Sequence, residues 1–242
     1  MSTALARTTW PTVPTEDDVL VLVPVGSTEQ HGHHLPLGTD SVMAEAVASR
    51  AAARLPGRVV VAPTLVYGNS GEHAGFPGTV SIGHEALRFV LVEMVRSLAL
   101  WASRTVFVNG HGGNVRALDE AVGQLREEGH DVAWTGCLFP GGDAHAGRSE
   151  TSAMLHLTPG DVDQDAATAG DTRPIAELLP RLVAGGVRSV APNGVLGDPT
   201  GASAQEGRTL VDDLVTATVH RILTAAPDRR GRLTDPAPAA GR

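Results

Sequence analysis

Short apolar runs rich in Val and Leu alternate along this chain with longer segments in which apolar residues recur every three or four positions. The first pattern is typical of buried strands and the second of amphipathic helices. In chain order, the pattern predicts strands over 18–27, 57–68, 104–114 and 131–139, separated by helices over 39–55, 84–103 and 115–129. A further helix is expected over 209–226, and residues 178–187 are expected to form a short helix or an edge element.

This alternation predicts the α/β class, as a single-domain, mostly parallel sheet flanked by helices on both faces. Residues 1–226 are expected to form that domain. Residues 227–242 are rich in Pro and polar side chains and are expected to form a flexible tail. Such sheets carry their functional loops at the carboxyl ends of the strands, so candidate chemistry is expected directly after each predicted strand.

Composition and charge narrow the class of protein. The chain has 242 residues, of which 42% are hydrophobic and 19% charged, so it can bury a sizeable core. Its net charge of −8, with no basic stripe, argues against a nucleic-acid partner. Cys137 is the single cysteine and lies in an apolar segment, so we expect a buried small hydrophobe in a reducing, cytoplasmic protein. No apolar run is long enough for a membrane span, and no signal peptide is expected.

Several side chains that can bind a metal follow the first predicted strand. Glu29, His31 and Asp40 lie within "GSTEQHGHHLPLGTD", and carboxylate oxygen with imidazole nitrogen is a ligand set for zinc, iron or manganese. For Asp40 alone, the cap of the following helix is the more ordinary interpretation. The grouping of all three at one strand end favours a metal site. His33 and His34 are not expected to be direct ligands, although one of them can orient a ligand carboxylate.

Two glycine-rich loops after later strands supply further candidates. His111 lies in "NGHGGN", where the flanking glycines allow a ligand to approach the backbone closely, and no phosphate-binding motif is present. His145 and Glu150 lie in "GGDAHAGRSETS" and offer a proton carrier and a third carboxylate. The alternative for Glu150 is a capping box at the start of a helix. His73 is more simply explained as a polar loop residue than as a ligand.

Together these motifs resemble the creatininase family of metal-dependent amidohydrolases. "EQHG" is followed in the family's order by "LPLGTD", "NGHGGN" and "HAGRSETS". The resemblance implies a three-layer α/β/α fold with two divalent metal ions, Fe2+ or Zn2+ with Mn2+ as a further option, at the carboxyl edge of the sheet. It implies metal ligation by Glu29, His31, Asp40 and His111, with Asp40 as the bridge. It also implies a homo-oligomer.

One position departs from the pattern of creatininase itself. That enzyme carries a Glu two residues after the His that matches His111, whereas this chain has Gly113. Glu150 is the candidate that completes the second metal site in its place. His145 is expected to be the catalytic proton donor to the leaving amine.

Within the family, "YGNSGEHAGFPGT" and "GDPTGASAQEG" resemble the peptidase branch of the mycofactocin system. This resemblance implies a modified precursor peptide as substrate and cleavage of its C-terminal Val-Tyr unit. A creatininase-like cyclic amidohydrolase or a formamide hydrolase is the first alternative. A non-catalytic metal-binding protein is the second.

Overall fold

A computed structural model describes residues 2–15 and 18–235 of the chain. Five parallel strands form one sheet in the order β1-β3-β2-β4-β5. The strands are β1 (Ser2–Ala4), β2 (Val19–Val25), β3 (Arg58–Val61), β4 (Arg104–Asn109) and β5 (Val132–Gly136). The helices are α1 (Thr39–Arg54), α2 (His84–Leu98), α3 (Val115–Glu127), α4 (Arg148–Leu157), α5 (Ile175–Val190) and α6 (Ala204–Thr224).

The sheet is buried on both faces because successive side chains of each strand point to opposite sides. In β4, Val106 and Val108 face the core formed with α1, α4 and α6, while Phe107 faces the core formed with α2 and α3. Leu22 and Val23 in β2 divide in the same way. The predicted three-layer α/β/α architecture is therefore confirmed.

Two elements differ from the sequence-based boundaries for identifiable reasons. The predicted strand over 57–68 is regular only over Arg58–Val61, since Pro63 cannot donate a ladder hydrogen bond. Pairing with β2 resumes as a single bridge at Leu65. The element expected over 178–187 is the longer helix α5, which bends at Gly186, where φ is 68°.

The chain after α6 continues along the edge of β5. The backbone N–H of Trp134 donates to the Gly231 carbonyl (2.9 Å), and the N–H of Leu233 donates to the Trp134 carbonyl (2.8 Å). Leu233 is buried, and the Arg232 guanidinium lies over the Trp134 ring. Residues 228–235 therefore lie along this edge of the sheet. The flexibility expected of 227–242 stays a prediction, and 236–242 lie outside the described residues.

Among the residues that the structure describes, no helix has both the length and the apolar character needed to cross a membrane.

Candidate metal centre

The centre lies at the carboxyl edge of the two central strands. β2 and β4 pair in register up to Val25 and Asn109, so the loops that follow them leave the sheet side by side. The loop after β2 carries Glu29 and His31, and the turn after β4 carries His111. A side chain at Gly110 would collide with the backbone of Asp40, so glycine there lets the first turn of α1 approach β4.

Asp40 does not cap α1. The N-cap residue is Gly38, and no side chain accepts a hydrogen bond there. Instead, one carboxylate oxygen of Asp40 lies 3.2 Å from Nε2 of His31, and the other lies 3.2 Å from Nδ1 of His111. The Ser27 hydroxyl donates to the second oxygen at 2.7 Å. The buried Asp40 carboxylate therefore joins two imidazoles from loops that follow different strands.

Main-chain carbonyls fix the orientation of three histidine rings. A carbonyl oxygen can only accept, so Nδ1–H of His31 donates to the Glu29 carbonyl (3.1 Å). For the same reason, Nε2–H of His111 donates to the Asn69 carbonyl (3.0 Å), and Nε2–H of His145 donates to the Gln30 carbonyl (2.9 Å). When a ring is neutral, its second nitrogen then presents a lone pair to the carboxylates. This is the arrangement that histidine ligands of metals adopt.

Glu29 gives the most direct indication that a cation fits here. Its side chain is fully buried, and neither carboxylate oxygen accepts a hydrogen bond from the described residues. The nearest imidazole nitrogens, Nε2 of His111 and Nε2 of His73, lie at 3.2 and 3.3 Å, and the N–H of His111 is already directed to a carbonyl. A buried carboxylate without a donor is unfavourable by several kcal/mol unless a positive charge accompanies it.

The five sequence-predicted ligands converge, although they come from three separate stretches of the chain. In each of three groups, ligand atoms lie within 4.8 Å of one another. These groups are Glu29, Asp40 and His111; His31, Asp40 and Glu150; and Glu29, His31 and His145. Glu29, His31 and Asp40 each belong to two of the groups, and Asp40 is the residue shared by the two groups that together contain all five predicted ligands, which is the position required of a bridging ligand. The donor atoms are the N/O set that suits zinc, iron and manganese.

The close packing of acids and imidazoles shifts their pKa values. Burial alone would lower the pKa of His31, but the charges of Asp40, Glu150 and Glu29 outweigh it and raise the pKa to about 9. Burial would raise the pKa of Asp40, but His31 and His111 hold it well below its usual range. Burial raises the pKa of Glu150 to about 7. The cluster without metal therefore holds protons where a cation would otherwise sit.

His145 lies directly beside the proposed ligands. Its ring centroid is 4.4 Å from that of His31, and its Nδ1 is 3.8 Å from a Glu29 oxygen. Burial, followed by the neighbouring His31 and His73, keeps the pKa of His145 well below its usual range. His145 is therefore a neutral imidazole whose Nδ1 lone pair faces the centre, and it can accept a proton there.

Glu150 is placed by the first turn of α4. The helix begins at Arg148 with Gly147 as its N-cap, and no side chain of Ser149 or Thr151 caps it. One oxygen of Glu150 accepts from the backbone N–H of Ala146 at 2.5 Å, which resembles one half of the capping box considered above. The same carboxylate nevertheless reaches the group with His31 and Asp40, so a capping role and a metal role are compatible.

The structure adds residues that the sequence did not single out. Gln30 is buried, and its side-chain amide donates to Nδ1 of His73 (2.9 Å) and to the Gly194 carbonyl (3.0 Å). His73 must therefore carry its proton on Nε2, which lies 3.3 Å from a Glu29 oxygen but is not aligned to donate a hydrogen bond to it. His73 was expected to be a polar loop residue rather than a ligand; it belongs to none of the described groups that could hold a metal, but its side chain is buried against the centre. No sequence spacing marks a contact between residues 43 positions apart.

Gly113 is the position at which the sequence departs from the creatininase pattern, and its surroundings leave no room for a side chain. A Cβ atom at this position would collide with the Asn69 carbonyl, with Nε2 of His111 and with the Glu72 carboxylate. Glu72 itself lies 3.4 Å from Nε2 of His111. The loop that carries Glu72 therefore fills the space beside His111.

The two remaining histidines of the first motif lie outside the cluster. His33 is exposed. His34 is buried and donates from Nε2 to the Thr151 hydroxyl at 2.9 Å, since that hydroxyl donates to the Gly147 carbonyl. Neither belongs to a group that could hold a metal. Through Thr151, His34 supports the first turn of α4, which carries Glu150.

Comparison with known proteins agrees with this geometry. The family model described as creatininase, creatinine amidohydrolase, matches residues 6–222. The chain belongs to the creatininase family. The family resemblance carried by the three motifs is thereby confirmed.

Individual creatininase-family proteins match most of the chain. A mycofactocin precursor peptide peptidase from Mycolicibacterium smegmatis is 54% identical over 219 residues, which cover 89% of each protein. A solved structure described as "Creatininase Mn" has a TM-score of 0.74 and 30% identity, covering 92% of this chain and 98% of its own. A mutant creatininase of the Zn-Zn type has a TM-score of 0.73 and 28% identity, covering 92% of this chain and 97% of its own.

Proposed function

We propose that this protein is a metal-dependent amide hydrolase that cleaves the modified C-terminal Val-Tyr unit from the mycofactocin precursor peptide. The observation that carries the chemistry is the buried Glu29 carboxylate without a hydrogen-bond donor, surrounded by four further N/O donor residues. The identity to a mycofactocin precursor peptide peptidase supports the peptide substrate. The adjoining cavity of about 460 Å³ is of the size that holds a peptide end or a small molecule.

In this proposal Asp40 would be a ligand of both of two divalent ions. Glu29 and His111 would hold one ion, and His31 and Glu150 would hold the other. When bound, the ions polarise an amide carbonyl and bring the pKa of a water molecule from about 15.7 towards ~7. The donor set accepts Fe2+, Zn2+ or Mn2+, and the Zn and Mn forms of related creatininases support the last two.

His145 is proposed as the proton carrier of the reaction. Its Nε2–H is held by the Gln30 carbonyl, so only Nδ1 is free to exchange a proton with the reacting atoms. Since the ring is neutral at rest, Nδ1 first accepts a proton from the attacking water and then donates it to the leaving amine. This refines the sequence-based expectation, in which His145 acted as a donor alone.

Hydrolysis of creatinine is a second candidate, favoured by the description of the matching family model. The absence of a Glu at position 113, and the lack of room for one, favours the peptide instead. A homo-oligomer and a cytoplasmic location remain predictions of the sequence.

The test is a direct comparison of substrates with the purified, metal-loaded protein. Mass spectrometry detects release of the modified Val-Tyr unit from the precursor peptide. We expect the kcat/KM of this cleavage to be at least a hundredfold above the kcat/KM for creatinine or a formamide. Turnover of creatinine or a formamide at a comparable kcat/KM would contradict the assignment. Tight metal binding without hydrolysis of any of these amides would favour a non-catalytic protein.

A further inference from the structure

One wall of the cavity beside the metal centre is a helix face of exposed apolar side chains. α5 presents Ile175, Leu179 and Val183, spaced by one helical turn each, with exposed fractions of 44%, 49% and 85%. All three line the same cavity as His145 and Glu150. Large apolar side chains on one helix face next to a reactive site indicate a surface that binds something apolar.

This face is not the side of α5 that packs on the protein. Leu178, Val187 and Val190 are buried and form a separate small core with Ala191 and Leu196. The buried residues already pack α5 against the protein. Packing of the helix therefore does not explain why its exposed face is apolar.

α5 is fixed relative to the metal centre at its bend. Gly186 has a left-handed φ of 68°, and a Cβ there would come 2.7 Å from the Glu72 carbonyl. Arg188 donates to the Gly75 carbonyl at 2.6 Å, and its guanidinium lies over the Phe76 ring. These contacts attach the helix to the loop that carries His73, so the apolar wall stands at a set distance from Glu29 and Asp40.

The charge of the cavity indicates which part of a substrate the wall contacts. Its polar lining consists of carboxylates and imidazoles, and none of the described residues that line it is Lys or Arg. The described lining residues therefore offer no guanidinium or ammonium group to pair with an anionic group of the substrate. The wall offers only apolar contacts, which select side chains such as those of Val or Tyr.

We propose that Leu179 and Val183, with Ile175, form the subsite for the apolar side chains that follow the scissile amide of the peptide. This inference rests on the proposed function for the identity of the substrate, and it assigns the specificity to α5. The metal centre then acts on the amide while the helix face selects the residues beside it.

Equilibrium binding tests the subsite independently of catalysis. The probe is a fluorescently labelled short peptide ending in Val-Tyr amide, which carries no terminal carboxylate, compared with the same peptide ending in Ser-Ser amide, on the full-length metal-loaded protein. We expect Leu179→Ser and Val183→Ser each to weaken binding of the Val-Tyr peptide by about five- to tenfold. Each substitution should also reduce the difference in affinity between the Val-Tyr and the Ser-Ser peptide. On the modified peptide, KM should rise by a similar factor while kcat changes less than twofold.

The matched control is Leu223→Ser on α6, since Leu223 is also an exposed helical leucine, at 54%, and lies outside this cavity. It should leave both peptides unaffected. Metal content and melting temperature establish that each variant is folded. Unchanged Val-Tyr binding in both α5 variants would overturn the subsite, as would wild-type protein that binds the two peptides equally.

If the α5 variants differ from wild-type protein in sedimentation but not in peptide binding, the subsite is also overturned. That result would assign the apolar face to contact between copies of the chain. The proposed function fails separately, when wild-type protein binds the Val-Tyr peptide but does not hydrolyse the modified one.

Discussion

At Asp40, two imidazole nitrogens approach opposite oxygens of one buried carboxylate, each at 3.2 Å. The other nitrogen of His31 and of His111 donates its proton to a main-chain carbonyl. The contacts between these rings and Asp40 can then become favourable in two ways. Either each ring takes up a second proton, or a cation lies between the ring and the carboxylate. Protons and metal therefore compete for the same place.

This competition predicts how the stability of the metal-free protein depends on pH. The pKa of His31 is raised from 6.5 to about 9, and that of His111 is also raised. A raised folded-state pKa contributes stability that is full below pH 6.5 and is lost as pH rises towards the folded value. We expect the chelator-treated protein to lose stability between about pH 6.5 and 9, by at most roughly 3 kcal/mol from His31. Glu150, with a pKa raised from 4.5 to about 7, acts in the same direction but over the lower range between these two values.

Denaturant titrations of the chelated protein across this pH range provide the measurement. His31→Gln should make the stability of the chelated protein less dependent on pH, because glutamine does not titrate. Saturating metal should reverse the sign, since the ions displace the protons. A chelated wild-type protein whose stability is constant or rises from pH 6.5 to 9 would contradict this account of the cluster.

At the scale of single residues, the sequence was sufficient to identify the candidate metal ligands from their residue types. Glu29, His31 and Asp40 could be found because they occur close together after an apolar strand. Gln30 and His73 could not, because their importance depends on a contact between distant loops and on which ring nitrogen carries the proton. Neither property has a signature in local spacing.

At the scale of elements, the turn after β4 depends on the loop opposite it. Gly113 allows the Asn69 carbonyl and the Glu72 carboxylate to lie against His111. The substitution by glycine was visible in the sequence as a departure from creatininase. Its structural reason, a neighbouring loop that occupies the space of a side chain, was not visible, because no local pattern reports which loops meet.

A single added methyl group should test this contact. Gly113→Ala is expected to displace His111 and to weaken metal affinity by about tenfold to a hundredfold, the range seen when groups that orient a ligand are disturbed. Gly112→Ala is the control, because a Cβ at Gly112 meets nothing within 4 Å. Isothermal titration with Mn2+ measures both. Equal affinities for the two variants would show that the contact around Gly113 does not position His111.

Helix α5 shows a second limit of sequence patterns at this scale. Its apolar residues cover two faces, with Leu178 buried and Leu179 exposed beside it. Periodicity indicates only that a segment is apolar enough to pack, which is why a short helix or an edge element was the expectation for 178–187. Which face packs and which lines a cavity is decided by the bend at Gly186 and by the loop it meets.

At the scale of the molecule, the sheet explains why separate motifs form one site. Parallel strands place all their carboxyl ends at one edge, so residues after β2 and β4 and before α4 meet there. That consequence could be predicted from strand–helix alternation alone. The packing of 228–235 along β5 could not, since Leu233 becomes a core residue only because the edge of that strand is open to it.

Crystals of Mn2+-loaded protein, measured for anomalous scattering, test the central claim most directly. The account predicts two anomalous peaks that share Asp40, one in contact with Glu29 and His111 and the other with His31 and Glu150. Each of these carboxylate oxygens and imidazole nitrogens should lie at direct coordination distance from its peak. Peaks that avoid Asp40, or saturating Mn2+ that leaves the Glu29 carboxylate without a cation, would contradict it.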